Sequence, residues 1–419
     1  MQQPRGTRDL FGEELERIRY VQRTVSRTFK RYGYREVETP IFENLELFTK
    51  KSGTNVMDQI YNFKDKSGRE LALRPELTTP VVRLYNTQLK SDPKPLKLYY
   101  FGMCFRYERP QIERGRYRQF LQAGCELIGT EKPEADAEVA AITSDIAKNL
   151  GLKNCELKIG NIRLLREVLK SAGIQIEDQD PIMRAIDSKE KARLEDELKK
   201  LERKDAELVE KLVSLRGGPE VLDKASELVE KLPDAKLAIK NMKAIMEKMN
   251  QLGVTEFSLD LGIARGLDYY TDFVFELYSD GIQLGGGGRY NDLIEALGGK
   301  SCPAVGVGLG IDRLSQAVER QKVEVPVDKL DCVVLPAKPE TLGDALEVAR
   351  ELRNAGLNVE VDLMGRNLSK GFSYADTRGA KYALVIGPEE LKANEVTIKD
   401  MASRSQRKVK REKLAGELA

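Results

Sequence analysis

The chain has 419 residues, no histidine, and 69 basic against 67 acidic side chains, for a net charge of +2. That balance excludes a bulk polycation, so any nucleic-acid contact rests on local basic patches. Without histidine there is no Ser-His-Asp triad, no imidazole base and no histidine-ligated zinc, and any chemistry must run on carboxylates, arginines and position.

The polar start, MQQPRGTRDLFGEE, does not read as a signal peptide. No apolar run approaches the roughly 18–20 residues that span a bilayer. The five dispersed cysteines, Cys104, Cys125, Cys155, Cys302 and Cys332, contain no C-x-x-C pair and read as reduced thiols. A soluble cytoplasmic protein with no membrane contact is expected.

Residues 13–32 place Leu15, Ile18, Val25, Phe29 and Tyr32 near one helical face, with Gly33 as a stop. REVETPIFE (35–43) reads as a strand in which Pro40 marks an edge or a bend. LALRPELTTPVVRLY (71–85) runs from strand to helix. Thr79 is expected as its N-cap and Pro80 at the first helical position, which leaves Glu76 and Thr78 in the turn.

Residues 96–109 and 118–129 read as an antiparallel hairpin. Alternation puts Phe101, Met103 and Phe105 on a core face, and Tyr100, Gly102, Cys104 and Arg106 on the other. In the partner strand Leu121, Ala123, Cys125 and Leu127 point to the core, and Phe120, Gln122, Gly124 and Glu126 point away. The second face is either an ordinary wet sheet surface or a binding surface. Gly102 and Gly124 favour close approach by a ligand or another backbone. The connecting loop carries Arg109, Arg114 and Arg116, with Arg118 beyond, and suits phosphates or plain solvent.

From about 168 to 252 the sequence is rich in Leu, Glu and Lys, and reads as successive helices broken at Gly217-Gly218 and Pro233. Strand-like sequence resumes around RGLDYY (265–270), which crowds Arg265, Asp268, Tyr269 and Tyr270 together. If that stretch is a strand, the two tyrosines point oppositely and do not share a ligand equally.

GGGGRYNDLIEALGG (285–299) is no P-loop; it reads as a floppy turn or as backbone on which a flat ring lies. In AVGVGLGIDRL (304–314), Gly306, Gly308 and Gly310 clear one strand face, and Arg313 opens a helix. After a linker at 323–331 come LDCVVLPA, LNVEVDL and YALVIG with helical stretches at 339–355 and 368–379, a βαβαβ pattern of parallel strands. The stretch SRSQRKVKREKL near the end is locally very basic.

PRGTRDL (4–10), the helix–strand–proline unit ending in ETP (38–40), FRYERP with FLQAGCELIG, RGLDYY, GGGGRYNDL and GVGLGIDRL together resemble the histidyl-tRNA synthetases, a class II aminoacyl-tRNA synthetase family, over nearly the whole chain. The resemblance implies an α/β protein. Its catalytic domain, an antiparallel sheet flanked by helices, comes in two parts, 1–167 and 253–323, around a helical insertion at 168–252; an α/β anticodon-binding domain follows at 328–419. The implied reaction joins L-histidine to ATP as an adenylate and passes it to the 3′ end of tRNA(His), with Mg²⁺ accompanying ATP and no protein-held metal.

The residue roles carried over are equally specific. Arg106 and Arg265 would reach the α-phosphate and Arg313 the γ-phosphate, with Glu108, Gly308 and Gly310 also at the nucleotide. Glu76, Thr78 and Gln122 would hold the α-ammonium. Glu126 and Tyr270, with Tyr269 nearby, would read the imidazole over Gly286, Gly287, Gly288 and Tyr290. Arg109, Arg114 and Arg116 would meet the tRNA acceptor end, and the proline-containing unit implies a homodimer. The alternatives are a non-catalytic histidine-binding regulatory subunit of ATP phosphoribosyltransferase, and a synthetase for another amino acid.

Overall fold

The structure, a computed structural model, describes residues 1–49, 58–188, 190–264, 269–326 and 329–418. The first helix, Gly12–Arg31, buries Ile18, Val21, Val25 and Phe29 along one stripe. Glu13 and Glu14 lie in its first turn and Lys30 and Arg31 in its last, each charge opposing the helix dipole.

The strand expected at 35–43 is broken: β1 (Arg35–Glu36) runs parallel to Leu98–Tyr99, and strand resumes only at Phe42. In between, the chain leaves the sheet at Thr39-Pro40, because a buried guanidinium holds it there. Arg74 Nη1 donates to the carbonyls of Thr39 (2.7 Å) and Pro40 (3.1 Å), and its Nε donates to that of Met103 (2.8 Å). β2 (Phe42–Asn44), β3 (Asn62–Lys64) and β4 (Glu70–Leu73) form a small antiparallel sheet in the order β2-β4-β3.

The helix expected to open at Pro80 spans Thr78–Leu84, so Pro80 sits third. Its first N–H groups lack helical partners in any case, and proline costs nothing there. The Glu76 carboxylate, rather than Thr79, serves the open end: the Thr79 N–H donates to its two oxygens at 3.0 and 3.3 Å.

β5 (Leu96–Phe105) and β6 (Gln119–Ile128) form the hairpin, with Gly102 opposite Gln122 and Leu98 opposite Glu126. They join β7 (Cys155–Asn161), β8 (Arg216–Gly217), β9 (Ser258–Asp260), β10 (Phe273–Ser279), β11 (Ile282–Arg289) and β12 (Ala304–Gly310) in a nine-stranded sheet ordered β1-β5-β6-β12-β11-β10-β7-β9-β8. From β5 across to β7 every pairing is antiparallel. The glycine run is thus a buried strand, not a loose turn.

Helices do follow one another between β7 and β9, and Pro233 opens the last, Pro233–Gln251. Its buried Ile239, Met242, Ile245 and Met249 belong to the same apolar core as the sheet. Contacts accordingly divide the chain into Met1–Val325 and Pro326–Ala419.

A buried ion pair ties β11 to the helix Pro133–Asn149: Arg289 donates from Nη2 to Asp136 Oδ2 (2.7 Å) and from Nε to Oδ1 (2.9 Å), and from Nη1 to the Thr130 carbonyl. Arg289→Met would strand a buried carboxylate, so a loss of about 3–5 kcal/mol is expected. Urea unfolding would register it as a lower midpoint at unchanged slope; a wild-type midpoint would contradict it.

The second unit contains β13 (Cys332–Pro336), β14 (Val359–Val361) and β15 (Tyr382–Ile386), mutually parallel in the order β14-β13-β15 as expected, with helices Leu342–Asn354 and Leu368–Thr377. Two further strands, β16 (Glu395–Asp400) and β17 (Gln406–Lys410), continue the sheet antiparallel. β17 takes up the basic stretch near the end. Its charges are largely matched inside the unit: Lys408 with Glu390 (3.4 Å), Lys410 with Glu395 (3.2 Å), and Arg411 with Glu347 and Glu351. None of the helices described is long and apolar enough to cross a membrane.

Candidate active site

The second strand of the hairpin buries Leu121, Ala123, Cys125 and Leu127 as expected, but the two faces of β5 are buried the opposite way from the expectation. Tyr100 and Cys104, on the polar face, are fully buried, whereas Phe101, Met103 and Phe105 are only half-buried. The reason is tertiary. The turn at Glu76 and the helix after it roof the polar face and make it the inside of a cleft. The outer face has incomplete cover: Phe101 borders an open groove beside Arg19, Arg23 and Arg27 of the first helix.

The cleft, about 240 Å³, brings together Glu76, Thr78, Arg106, Glu108, Arg116, Gln122, Tyr269, Tyr270, Gly286, Gly308, Gly310 and Arg313. Arg109 and Arg114 stay exposed on the loop and do not line it. Arg265 and Asp268 lie outside the described residues.

Glycine shapes this cleft, though not always as expected. Gly124 and Gly102 admit neighbouring side chains rather than a ligand. A Cβ at Gly124 would strike the Tyr100 hydroxyl, and one at Gly102 the Arg74 guanidinium. On β12 a Cβ at Gly306 would collide with Glu126 Oε2, and one at Gly308 would come within 2.7 Å of Gln122 Nε2. Gly288, paired with Gly306, lies against Tyr270. Gly287 belongs to the opposite face, where it makes room for Phe275.

Glu126, 0% exposed, does not line the cleft, and neither do Gly288 and Tyr290; it lies beside the cleft-lining Thr78, which bonds it. Tyr100 donates to its Oε1 at 2.8 Å and Tyr290 to its Oε2. Burial pushes the carboxyl up to about 8, against the hydrogen bonds from Tyr290, Tyr100 and Thr78. Among the described residues no basic side chain pairs with it. Burial also raises Glu76, opposed by the Thr79 and Thr78 bonds and the Arg106 charge. The sequence reading placed Tyr100 on this face but gave it no task. Its position opposite Gly124, a residue too small to fill the face, is the signal that identifies it.

Tyr269 and Tyr270 are not in a strand. Their rings lie 4.8 Å apart, both line the cleft, and Tyr269 packs edge-on against Tyr290 at 5.7 Å. The alternation expected of a strand does not apply, and both phenols reach the same space.

The other end of the cleft is cationic. Arg106 donates to the Pro75 carbonyl (2.9 Å) and lies over the Phe120 ring. Arg313 donates to the Gln283 carbonyl (2.8 Å). Burial, with the charges of Arg116 and Arg106, pushes Arg313 down to about 10. Three guanidiniums that raise one another's energy form a site for a multiply charged anion. Among the described residues no trio of carboxylates or thiols could hold a metal. Of the cleft carboxylates, Glu76 caps a helix and Asp312 is engaged by Arg8 and the Leu121 N–H, which leaves Glu108 facing the cationic end.

Comparison with known proteins agrees with this geometry. The profile of the Histidyl-tRNA synthetase family matches residues 6–314, and that of the Anticodon binding domain matches 331–419. The chain is 42% identical over 411 residues to a histidine–tRNA ligase of Methanocaldococcus jannaschii, covering 97% of this chain and 96% of that protein. Among solved structures, a histidyl-tRNA synthetase from Nostoc sp. PCC 7120 superposes with a TM-score of 0.82 at 27% identity, over 100% of this chain and 98% of that one. The apo enzyme of S. aureus gives 0.78 at 30% identity, over 100% and 99%.

Proposed function

The chain belongs to the histidyl-tRNA synthetase family, and from that premise we propose that it acts as a histidine–tRNA ligase, an ATP-dependent enzyme that forms histidyl-adenylate and transfers the histidyl group to the 3′ end of tRNA(His). In the first step a histidine carboxylate oxygen attacks the α-phosphorus and the bond to pyrophosphate breaks. In the second a terminal ribose hydroxyl attacks the acyl carbon and AMP leaves. The first nucleophile is already an anion near neutral pH, so no general base is needed, and a chain without histidine can run the step. The barrier is the approach of one anion to several others, and positioned cations lower it.

Arg106 stabilises the α-phosphate and Arg313 the γ-phosphate, with Gly308 and Gly310 leaving room along β12. Arg265 is assigned to the α-phosphate and the substrate carboxylate from the family resemblance alone. Glu76, Thr78 and Gln122 receive the α-ammonium. Glu126 accepts the imidazole N–H, while the Tyr270 hydroxyl meets the other ring nitrogen as donor or acceptor. The observation that carries this reading is a cleft with three arginines at one end and Glu76, Thr78, Gln122 and Tyr270 at the other, where Thr78 bonds a buried carboxyl, Glu126, that two phenols also hold. Such a set of buried polar groups rejects an apolar isostere, which would leave them unpaired.

Mg²⁺ would enter with ATP and would neutralise phosphate charge, and Glu108, which lines the cationic end of the cleft, is the side chain that would contact it. Arg109, Arg114 and Arg116 engage the acceptor-end phosphates, and the second unit engages the anticodon. A second copy of the chain covers the half-exposed strip around Phe101. The compartment is the cytoplasm.

Pyrophosphate exchange tests the whole reading. Exchange stimulated by histidine, and not by proline, threonine or glycine, is expected. Histidine binding without exchange would indicate the regulatory-subunit alternative instead, against which the anticodon-domain match speaks.

A further inference from the structure

The N-terminal PRGTRDL has no place in the chemistry above, yet its backbone and side chains reach both arginine-bearing elements of the nucleotide site. Gly6 has φ +83°, and a Cβ there would come within 2.8 Å of both Arg118 and Pro110. Its carbonyl accepts the Arg118 N–H at 2.8 Å, so the segment lies along the arginine loop. Two residues on, the Arg8 guanidinium stacks 3.8 Å from the centre of the Tyr117 ring, beside Arg116. It also donates to Asp312 Oδ1, and its Nε lies 3.2 Å from Glu14.

Asp312 is 5% exposed, and its other oxygen accepts the Leu121 N–H at 2.7 Å. It lies in the first turn of the helix Ile311–Arg320, one residue before Arg313. The same helix touches the loop directly, through Gln316 Nε2 to the Ile112 carbonyl (2.9 Å).

We propose that Gly6–Arg8 is a clamp that locks the arginine loop to the helix bearing Arg313, with Arg8 a positioning residue for the triphosphate. Its physical basis is competition for a carboxylate. Arg8 neutralises Asp312. Without it, a nearly buried anion stands one residue from Arg313, whose charge it already feels. That anion would draw Arg313 away from the phosphates, and the loop carrying Arg116 would lose its stacking partner. Glu76 and Glu126 touch neither Arg8 nor Asp312, so histidine binding is spared.

The clamp rests on the ligase reading only in taking MgATP as the nucleotide. It is tested by titration calorimetry of the full chain with MgATP and, separately, with histidine. R8M is expected to weaken MgATP binding about tenfold or more, the scale of one lost charged hydrogen bond, and to leave histidine affinity within about twofold. R8K, which keeps the charge but loses the planar stack, should fall between. Adding D312N to R8M removes the competing anion and should recover most of the lost affinity.

Wild-type MgATP affinity in R8M, an equal loss of histidine affinity, or no recovery in the double variant would each overturn the proposal. So would failure of both R8M and R8K to fold, which would make Arg8 a support of the fold alone. A wild type that binds MgATP but performs no exchange would sink the ligase reading and leave the clamp standing.

Discussion

Replacing Glu126 by glutamine is expected to raise the KM for histidine by about 10–100-fold, or to abolish exchange, with MgATP affinity unchanged. Above about pH 8, where the Glu126 carboxyl is ionised, the lost contact is a charge-assisted hydrogen bond to the imidazole N–H, worth about 1.5–3 kcal/mol. The Tyr100 and Tyr290 hydroxyls, which now donate to the carboxylate, would have to turn for an amide that offers one acceptor and one donor.

The same variant should be more stable without ligand, in a pH-dependent way. Burial raises the Glu126 carboxyl from 4.5 to about 8 in the folded chain. Between those values the folded state holds a proton that the unfolded state has released. The stability associated with it is therefore fully present below 4.5 and falls as pH rises toward 8, by up to roughly 1.4 kcal/mol per unit. Glutamine has no proton to lose. Thermal melts should show Glu126→Gln above the wild type at pH 8, with the gap closing toward pH 4.5. Parallel melting profiles across that range would contradict the burial of this carboxyl as an acid.

Arg313→Ala should lower the rate of histidine-dependent exchange by about 10²–10³, the scale seen when one preorganised group facing developing charge is removed. Its stability consequence runs the other way. In the ligand-free chain Arg313 is crowded by Arg116 and Arg106. Deleting one of three clustered cations relieves repulsion, so the variant should melt no lower than the wild type and depend less on salt. A large drop in melting temperature with modest loss of exchange would mean that Arg313 supports the helix rather than the nucleotide.

Much of the site is legible in the linear sequence because the relevant physics is local. Period-two alternation sets Gln122 and Glu126 on one face of β6 and Gly306, Gly308 and Gly310 on one face of β12; the folded register then pairs Gly306 with Glu126 and Gly310 with Gln122. What alternation could not say is which face of β5 lies inside the molecule. The apolar face of Phe101 and Met103 looked like core, but the cover over the polar face comes from the Glu76 turn and its helix. Gly102 and Gly124 likewise read correctly as sites of close approach, while their partners, Arg74 and Tyr100, follow only from packing.

Residue chemistry and spacing alone pointed to carboxylates and guanidiniums and to the strands that carry them, and found the three parallel strands and two helices of the C-terminal unit, though not the two antiparallel strands that complete its sheet. The folded arrangement decided the partners: Tyr290 with Glu126, 164 positions apart, Arg289 with Asp136, 153 apart, and Arg8 with Asp312, 304 apart. Backbone periodicity extends over a few residues, so it carries no information about such pairs. Desolvation and charge crowding depend on every atom within several ångströms, and only the closed chain brings those atoms together.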